Sequence, residues 1–306
     1  MIFKLLFLAS LLTLLPSYLF PGFLAFLIEV NSSFPTAHCA IGIVSLIYFL
    51  FRKKSAWIFL SFLSIAIQSN AIFWPLYSTG NKVEGKEISL FYANVFVHNK
   101  DYQSLKNFIE NSNPDIVCLT EVSQKWLDEL RLGDSYKFHY LMPGISADGN
   151  AIYSKYKLSN RQRISDDGYF AALSTEVLLE EDKFLFINLI HAPPPQVDFS
   201  GEGRLSFFKL LASKIQPNLD RSIVLGDFNV SSSTRFFWKI VSLFGMKVAT
   251  NGIVDYPTWR PLEFPVLFSP IDHVLIGSKI ESLTLEIGAD VGSDHLPLLI
   301  KFRVQN

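Results

Sequence analysis

The residues of this chain with the means to do chemistry stand where apolar runs end. Ile223-Val224-Leu225 reads as a buried strand and runs directly into Gly226, Asp227, Phe228 and Asn229, so one strand end delivers a carboxylate and an amide together. Taken alone, that tetrapeptide is also an ordinary turn. Other short polar clusters interrupt apolar runs in the same way: Asn94, Glu121, Asn188 with His191, Asp272, and Asp294 with His295. Hard divalent cations such as Mg²⁺ take one or two carboxylates and keep waters and substrate phosphate, which suits Glu121, Asn94 and Asp294. Hydrolysis of a phosphate ester further needs a base or orienter for water, donors to the non-bridging oxygens and stabilisation of the leaving oxygen. Asp227 is the candidate for the first need. Asn229, His191 and His295 are candidate donors to phosphate, and a metal on Glu121 would neutralise charge and assist the leaving group. A histidine that must donate is helped by a nearby carboxylate, and Asp272 is the partner expected for His295. His98 and His273 read as solvated or structural. With no cysteine in the set a structural zinc site is not expected, and no serine has the setting of a nucleophile elbow.

The elements that must position these residues fill the chain from Gly85 onward. Ile88 to Val95 is expected as a strand, followed by a helix capped by Asp101 with Leu105, Phe108 and Ile109 on one face. Asp115 to Leu119 is a short strand, and Ser123 caps a helix carrying Trp126, Leu127 and Leu130. Gly149 to Ser154, Ala172 to Leu179 and Phe184 to Ile190 read as strands, the last two paired through the acidic turn Glu180 to Asp182. A helix with Leu205, Phe208, Leu211 and Ile215 leads into the strand before Asp227, and another spans about 234 to 245. Ile271 to Ile276 and Leu296 to Phe302 complete the set. Strands alternating with helices and with paired strands give an α/β sandwich, sheet packed on sheet with helices outside.

The front is different. Of 27 Lys and Arg only Lys4, Arg52, Lys53 and Lys54 precede residue 76, and of 28 Asp and Glu only Glu29 does; the remaining 23 basic and 27 acidic residues leave the back with a net charge of −4. Such a domain has no general attraction for a long polyanion, which leaves only a local basic groove as a means of binding one. Residues 1–75 are expected to form a membrane anchor of three spans, about 3 to 27, 35 to 51 and 56 to 75, each near the roughly 20 apolar residues a bilayer requires. The first run is too long, and followed by too much apolar sequence, for a cleaved signal peptide. Pro16 and Pro21 leave open whether it is one span or a broken hairpin. The only basic cluster of the front, Arg52-Lys53-Lys54, is expected on the cytoplasmic side, which puts the domain after the third span on the opposite, periplasmic side of a bacterial inner membrane. Residues 76–86 read as a linker and 87–306 as the catalytic domain. Cys39 and Cys118 lie in apolar runs of different segments, which argues against a disulfide.

Taken together, Ala93-Asn94-Val95, Pro114 to Val122, Asn188 with His191-Ala192-Pro193, Gly226-Asp227-Phe228-Asn229, Ile271 to Leu275 and Gly292 to Pro297 resemble the motifs of the endonuclease/exonuclease/phosphatase family. They run in family order over about residues 87 to 303. The resemblance implies a four-layer α/β sandwich and Mg²⁺- or Mn²⁺-dependent cleavage of phosphate esters. It makes Glu121 the principal metal ligand, with Asn94 and Asp294 near the metal, Asp227 the residue acting on water, Asn229 the phosphate holder, Asp272 and His295 a carboxylate–histidine pair, and His191 a second histidine. Thr120 departs from the pattern, since many members carry glutamine there, and is expected to alter the surroundings of the metal without abolishing binding. The Thr258-Trp259 pair and the apolar front resemble a membrane-anchored bacterial branch. The implied substrates are a nucleic acid first and a lipid headgroup or other small phosphodiester second; no protein partner is implied. A catalytically silent membrane-bound interaction module is the competing class, and it would be expected to have lost one or more of these residues.

Overall fold

Two parallel strand pairs organise the back of the chain. The structure is a computed structural model that describes residues 7–305 except 9, 14–19, 21, 74–81, 166–169, 181–182, 199, 250–256 and 261–267. Strands β1 (Gly85–Asn94) and β2 (Ile116–Thr120) run parallel, as do β7 (Lys183–His191) and β8 (Ser222–Asp227). A parallel pair needs a crossover, and a helix supplies each one. Helix α4 (Tyr102–Ser112) joins β1 to β2, and α6 (Glu202–Ile215) joins β7 to β8. Antiparallel strands extend each pair into a six-stranded sheet. The first sheet has the order β11 (Ile280–Ile287), β12 (Leu298–Gln305), β1, β2, β4 (Asn150–Ser154), β3 (Phe138–Met142). The second has the order β5 (Leu158–Ile164), β6 (Ala172–Glu180), β7, β8, β10 (Asp272–Ile276), β9 (Lys247–Val248).

Strand side chains alternate between faces, so each central strand feeds two cores. Ile88, Leu90 and Tyr92 of β1 share one core between the sheets with Leu185, Ile187 and Leu189 of β7 and Ile223 and Leu225 of β8. The alternate residues Phe91 and Ala93 pack under α4 and α5 (Gln124–Leu130), with Trp126. On the other side Ile190 and Val224 pack with Phe207, Phe208 and Phe237 under α6 and α7 (Arg235–Phe244). These are the four expected layers: helices, sheet, sheet, helices. The local signals act as expected. Asp101 accepts from Ser104 N at 3.1 Å to cap α4, and Ser123 and Thr234 cap α5 and α7 through Trp126 N and Phe237 N.

In the front, α1 (Gly22–Ser32), α2 (Pro35–Phe51) and α3 (Ser55–Phe73) are helical. Cys39 faces Ser69, Gly42 lies against Ile65 and the rings of Phe49 and Trp57 stack at 5.2 Å, so α2 and α3 form an antiparallel hairpin turning at Arg52 to Lys54. No single described helix is long and apolar enough to cross a membrane; α1 and α2 reach that length only together, and they are bent by 75°. The expected second and third spans coincide in position with α2 and α3, whereas the expected first span of residues 3 to 27 falls partly outside the described residues, as do Pro16 and Pro21. Residues 76–81 of the expected linker are also outside them, and from Gly85 the chain is already in β1.

Helix α1 is fastened to the sandwich. Arg204 of α6 donates Nη1 and Nη2 to the Glu29 carboxylate at 2.8 and 2.5 Å, with both residues buried, and Ser233 Oγ donates to Ser32 O at 2.6 Å. Removing one partner of such a buried pair costs about 3–5 kcal/mol.

Candidate active site

The C-terminal ends of four parallel strands converge on one edge of the sandwich. β1 ends in Asn94, β2 runs out into Glu121, β7 ends in His191 and β8 in Asp227. The antiparallel strands contribute from their opposite ends. Asp272 opens β10 directly across from Asp227, and Asp294 and His295 precede β12, whose Leu298 pairs with Tyr92. Strand direction alone therefore brings all of these residues to one end, the place where open α/β sheets bind ligands. The approach of β7 to β8 is close: Gly226 has φ 139°, and a Cβ there would sit 2.0 Å from Ile190 O, so glycine precedes Asp227 by steric need. Glu121 and Asn229 are non-glycine residues at φ 60° and 51°, local strain of a kind that concentrates at functional sites.

Asp227 is the focus. Its Oδ1 accepts from Asn229 N at 2.8 Å; its Oδ2 accepts from Asn94 Nδ2 at 3.1 Å and lies 3.7 Å from Nε2 of both His191 and His295. Burial raises this carboxyl to a pKa of about 6, with the Asp272 charge adding to the rise and the two histidines opposing it. His295 Nδ1 donates to Asp272 Oδ2 at 2.7 Å. Burial would lower the His295 pKa, but Asp272, by charge and hydrogen bond, and Asp227 and Asp294 outweigh it and carry the ring up to about 10. Asp272 stays below the usual carboxylate range: burial pushes it up, but the His295 charge and the donors His295, Thr258 and Tyr92 prevail. The expected carboxylate–histidine pair is thus an ion pair with Nε2–H turned toward Asp227.

His191 Nδ1 lies 2.7 Å from Ala147 O and must donate to it, which leaves Nε2 facing Asp227 and, at 3.9 Å, Glu121. In a neutral ring that nitrogen is an acceptor suited to a cation; in a charged ring it is a donor suited to phosphate. Glu121 is held by Asn94 Nδ2 at 2.9 Å and Val97 N at 3.0 Å. Asn94 presents its amide nitrogen to Glu121 and Asp227 while its oxygen accepts from Phe96 N, so in this structure it ties the two carboxylates together. Asn229 spends one amide N–H on Ala192 O at 2.9 Å and keeps a second. Asp294 Oδ2 accepts from Trp259 Nε1 at 3.1 Å.

Asn188, grouped with the site motifs in the sequence, is not at the site. It lies inside β7, accepts from Ser174 Oγ and donates to Ile223 O. His98 is exposed and His273 is buried in the core with Nε2 on Val230 O, as expected. Sequence reasoning missed Tyr92, whose hydroxyl donates to Asp272 Oδ1 at 2.9 Å and meets Thr120 Oγ1 at 3.2 Å. It also gave Trp259 no contact with Asp294. For Tyr92 a signal exists: it stands two residues before Asn94 on the same strand face, a polar tip in an apolar run. Thr120 is fully buried, and its hydroxyl fills the space beside Tyr92 rather than facing the carboxylates.

The donors present fit a hard divalent cation. Asp294 Oδ1 is buried and accepts no hydrogen bond, which leaves a carboxylate oxygen free for a positive charge. Glu121, His191 and Asp227 bring ligand atoms within 4.8 Å of one another. Asp227, Asp272 and His295 are as close, but there the histidine is protonated and paired, which leaves it no lone pair for a metal. A hard divalent cation therefore fits better on the Glu121 side, with Asp294, than beside Asp272.

Comparison with known proteins agrees with the fold. The model of the Endonuclease/Exonuclease/phosphatase family matches residues 91–295, more than half of the chain. An endonuclease/exonuclease/phosphatase from Beutenbergia cavernae superposes with a TM-score of 0.59 at 14% identity, covering 72% of this chain and 72% of that one. TDP2 from D. rerio, complexed with single strand DNA product, gives 0.57 at 16% identity over 72% of this chain and 100% of that one. Sphingomyelinase C from Streptomyces griseocarneus gives 0.51 at 13% identity over 72% and 100%. At these identities the structural likeness carries the fold. A comparison with curated proteins finds no match. The family match, the sandwich and the carboxylate–histidine set agree, and the chain belongs to the Endonuclease/Exonuclease/phosphatase family, the metal-dependent phosphoric ester hydrolases.

Proposed function

We propose that this protein is a membrane-anchored phosphodiesterase that cleaves its substrate with an activated water. The observation that carries the reading is the setting of Asp227: a buried carboxylate with a pKa near neutrality, facing two histidine nitrogens at 3.7 Å. A general base works best when its pKa lies near the working pH. Asp227 takes the proton of the attacking water while Asn229 N holds its other oxygen in place. His295, kept charged by Asp272, donates from Nε2 to a non-bridging phosphate oxygen; the remaining amide N–H of Asn229 and, when its ring is charged, His191 serve the same purpose. Glu121 and Asp294, with His191 within reach, are the residues that would hold Mg²⁺ or Mn²⁺. When bound, the cation supplies charge neutralisation for the phosphate and the leaving oxygen. No covalent intermediate is required.

Anchoring is supported by the front. Leu24, Leu27, Ile43, Ile47, Phe59 and Phe62 are exposed, and an apolar surface of that extent marks contact with lipid or another protein. The sandwich touches the α1 end of α2, while the basic turn Arg52 to Lys54 is at the far end, about 25 Å away at 1.5 Å per residue. That separation supports a catalytic domain outside the cytoplasm. A nucleic-acid strand is the substrate suggested by the family and by the DNA product on the D. rerio neighbour; a lipid phosphodiester is favoured by the pocket described below.

Full-length protein in detergent, given bis(4-nitrophenyl) phosphate, is expected to turn over with Mg²⁺ or Mn²⁺ and to stop with chelator. Chelator-insensitive turnover, or none with either metal, would remove the reading in favour of a different chemistry or a silent interaction module.

A further inference from the structure

The pocket that holds the site is not built from the catalytic domain alone. It has a volume of about 870 Å³, and its lining includes both Asp227 and His295 of the site and Val30, Ser33 and Phe34 of the α1–α2 corner. The lining also includes Pro193 to Pro195 and Val197. Ligand pockets of drug-sized molecules span about 300–1,000 Å³. The space therefore suits a single phosphodiester with a sizeable apolar group. It suits a polyanionic strand poorly. Arg204 is the only Lys or Arg among the described lining residues, and its guanidinium is committed to Glu29. A groove that tracks a nucleic-acid backbone needs several such cations.

A second observation comes from the surface. Apart from the helical front, the large apolar side chains exposed among the described residues are Ile145, Val197 and Trp238. Val197 lines the pocket, and the other two are near, along the chain, to residues of the pocket or of its junction with the front. Val197 is 63% exposed and lines the pocket; Ile145 is 99% exposed, two residues from Ala147, which holds His191. Trp238 donates to Ser232 O beside the Ser233–Ser32 hydrogen bond that fastens α1.

We propose that the α1–α2 corner, latched to α6 by the buried Glu29–Arg204 pair, is part of the substrate site, and that it holds the apolar chain of a membrane lipid phosphodiester whose phosphate reaches Asp227 and His295. The latch closes the site on one side with a wall that belongs to the membrane segment, so a lipid passes from the bilayer side into the pocket without crossing water. Glu29 and Arg204 are positioning residues, since they act by holding Val30 and Phe34 in place. The inference rests on the phosphodiesterase reading, and its test is arranged so that the two fail differently.

The experiment uses full-length protein in detergent with Mg²⁺ and a series of 4-nitrophenyl alkyl phosphates running from methyl to dodecyl, with a single-stranded oligonucleotide beside them. Each methylene drawn from water into the pocket is worth roughly fourfold in kcat/KM. The dodecyl ester is accordingly expected to exceed the methyl ester by about 100-fold or more. Phe34→Ala and Val197→Ser, which leave the ion pair alone, are expected to reduce that ratio by about tenfold, mainly through KM. Glu29→Gln is expected to do the same by loosening the latch. Four results would overturn the proposal. They are a flat chain-length series, a preference that all three variants share unchanged and which therefore reports detergent partitioning, faster cleavage of the oligonucleotide than of the dodecyl ester, and no cleavage of any ester. Only the last also removes the phosphodiesterase reading.

Discussion

Two histidines on neighbouring elements, His295 and His273, are equally buried at 5% exposure and electrostatically opposite. His273 lies in the aromatic core under α7, its ring 4.2 Å from that of Phe237 and 5.3 Å from that of Phe228. Burial holds it down to a pKa of about 4, and the carbonyl of Val230 is its hydrogen-bond partner. His295 lies among Asp272, Asp227 and Asp294, and these carry it to about 10. Burial by itself therefore says nothing about role. What makes one ring structural and the other a phosphate donor is which face of β10 it meets: Asp272 faces Tyr92 and His295, and His273, the next residue, faces the helix-covered core. A one-residue change of register would exchange them.

The largest blow to this contrast comes from Asp272→Asn. It removes the charge that keeps His295 protonated and makes the His295 surroundings resemble those of His273. Hydrolysis is expected to fall by about 10²–10³, the usual loss for one preorganised donor to the transition state. The alkaline limb of the pH profile, set in the native protein by His295 near 10, is expected to move down toward the ordinary histidine range. The acidic limb belongs to Asp227, which must be deprotonated to act and titrates near 6 before a cation lowers it. An unmoved alkaline limb would show that His295 is not the group responsible.

Stability separates the two histidines with smaller effects of opposite sign. The folded His295 pKa lies above the unfolded value of 6.5, so its contribution is fully present below pH 6.5 and is lost as pH rises through about 10. The folded His273 pKa lies below 6.5, so its contribution is present above pH 6.5 and is lost as pH falls through about 4. Thermal melts of His295→Gln and His273→Phe against pH are expected to approach the wild type at opposite ends of the scale. His273→Phe is expected to cost about 1–3 kcal/mol near neutrality, because Val230 O loses its partner, and to leave turnover per folded molecule unchanged. Melting differences that run in the same direction would break the comparison.

Much of this was legible in the sequence, and the remainder was hidden for identifiable reasons. The central strands β1, β2, β7, β8 and β10 were readable because each is an apolar run buried on both faces. The strands the sequence did not reveal, β3, β5, β9 and β11, are the four sheet edges. Arg161 and Arg163 in β5 and Glu281 and Glu286 in β11 make those strands polar, as edges must be to avoid pairing with other chains. At the site, Asp227, Glu121 and His295 were visible as polar strand ends, but Tyr92 was masked by the apolar strand around it. Asn188 failed for the converse reason: a polar residue in a strand can serve the sheet itself, here by bridging Ser174 and Ile223. Glu29, the only acidic residue of the front, carries no local sign of a contact, because its partner Arg204 is 175 residues away.

The most direct test of the account is Asp227→Asn, an isosteric change that removes the base and keeps the side-chain shape. Full-length wild type and variant would be compared under single-turnover conditions with saturating Mg²⁺, with thermal melts of both to report on folding. The account predicts a variant that melts like a folded protein and loses about 10²–10⁴ in the rate of phosphodiester cleavage, the range for removing a general base. A folded variant within tenfold of the wild type would contradict the assignment of Asp227 as the residue that activates water.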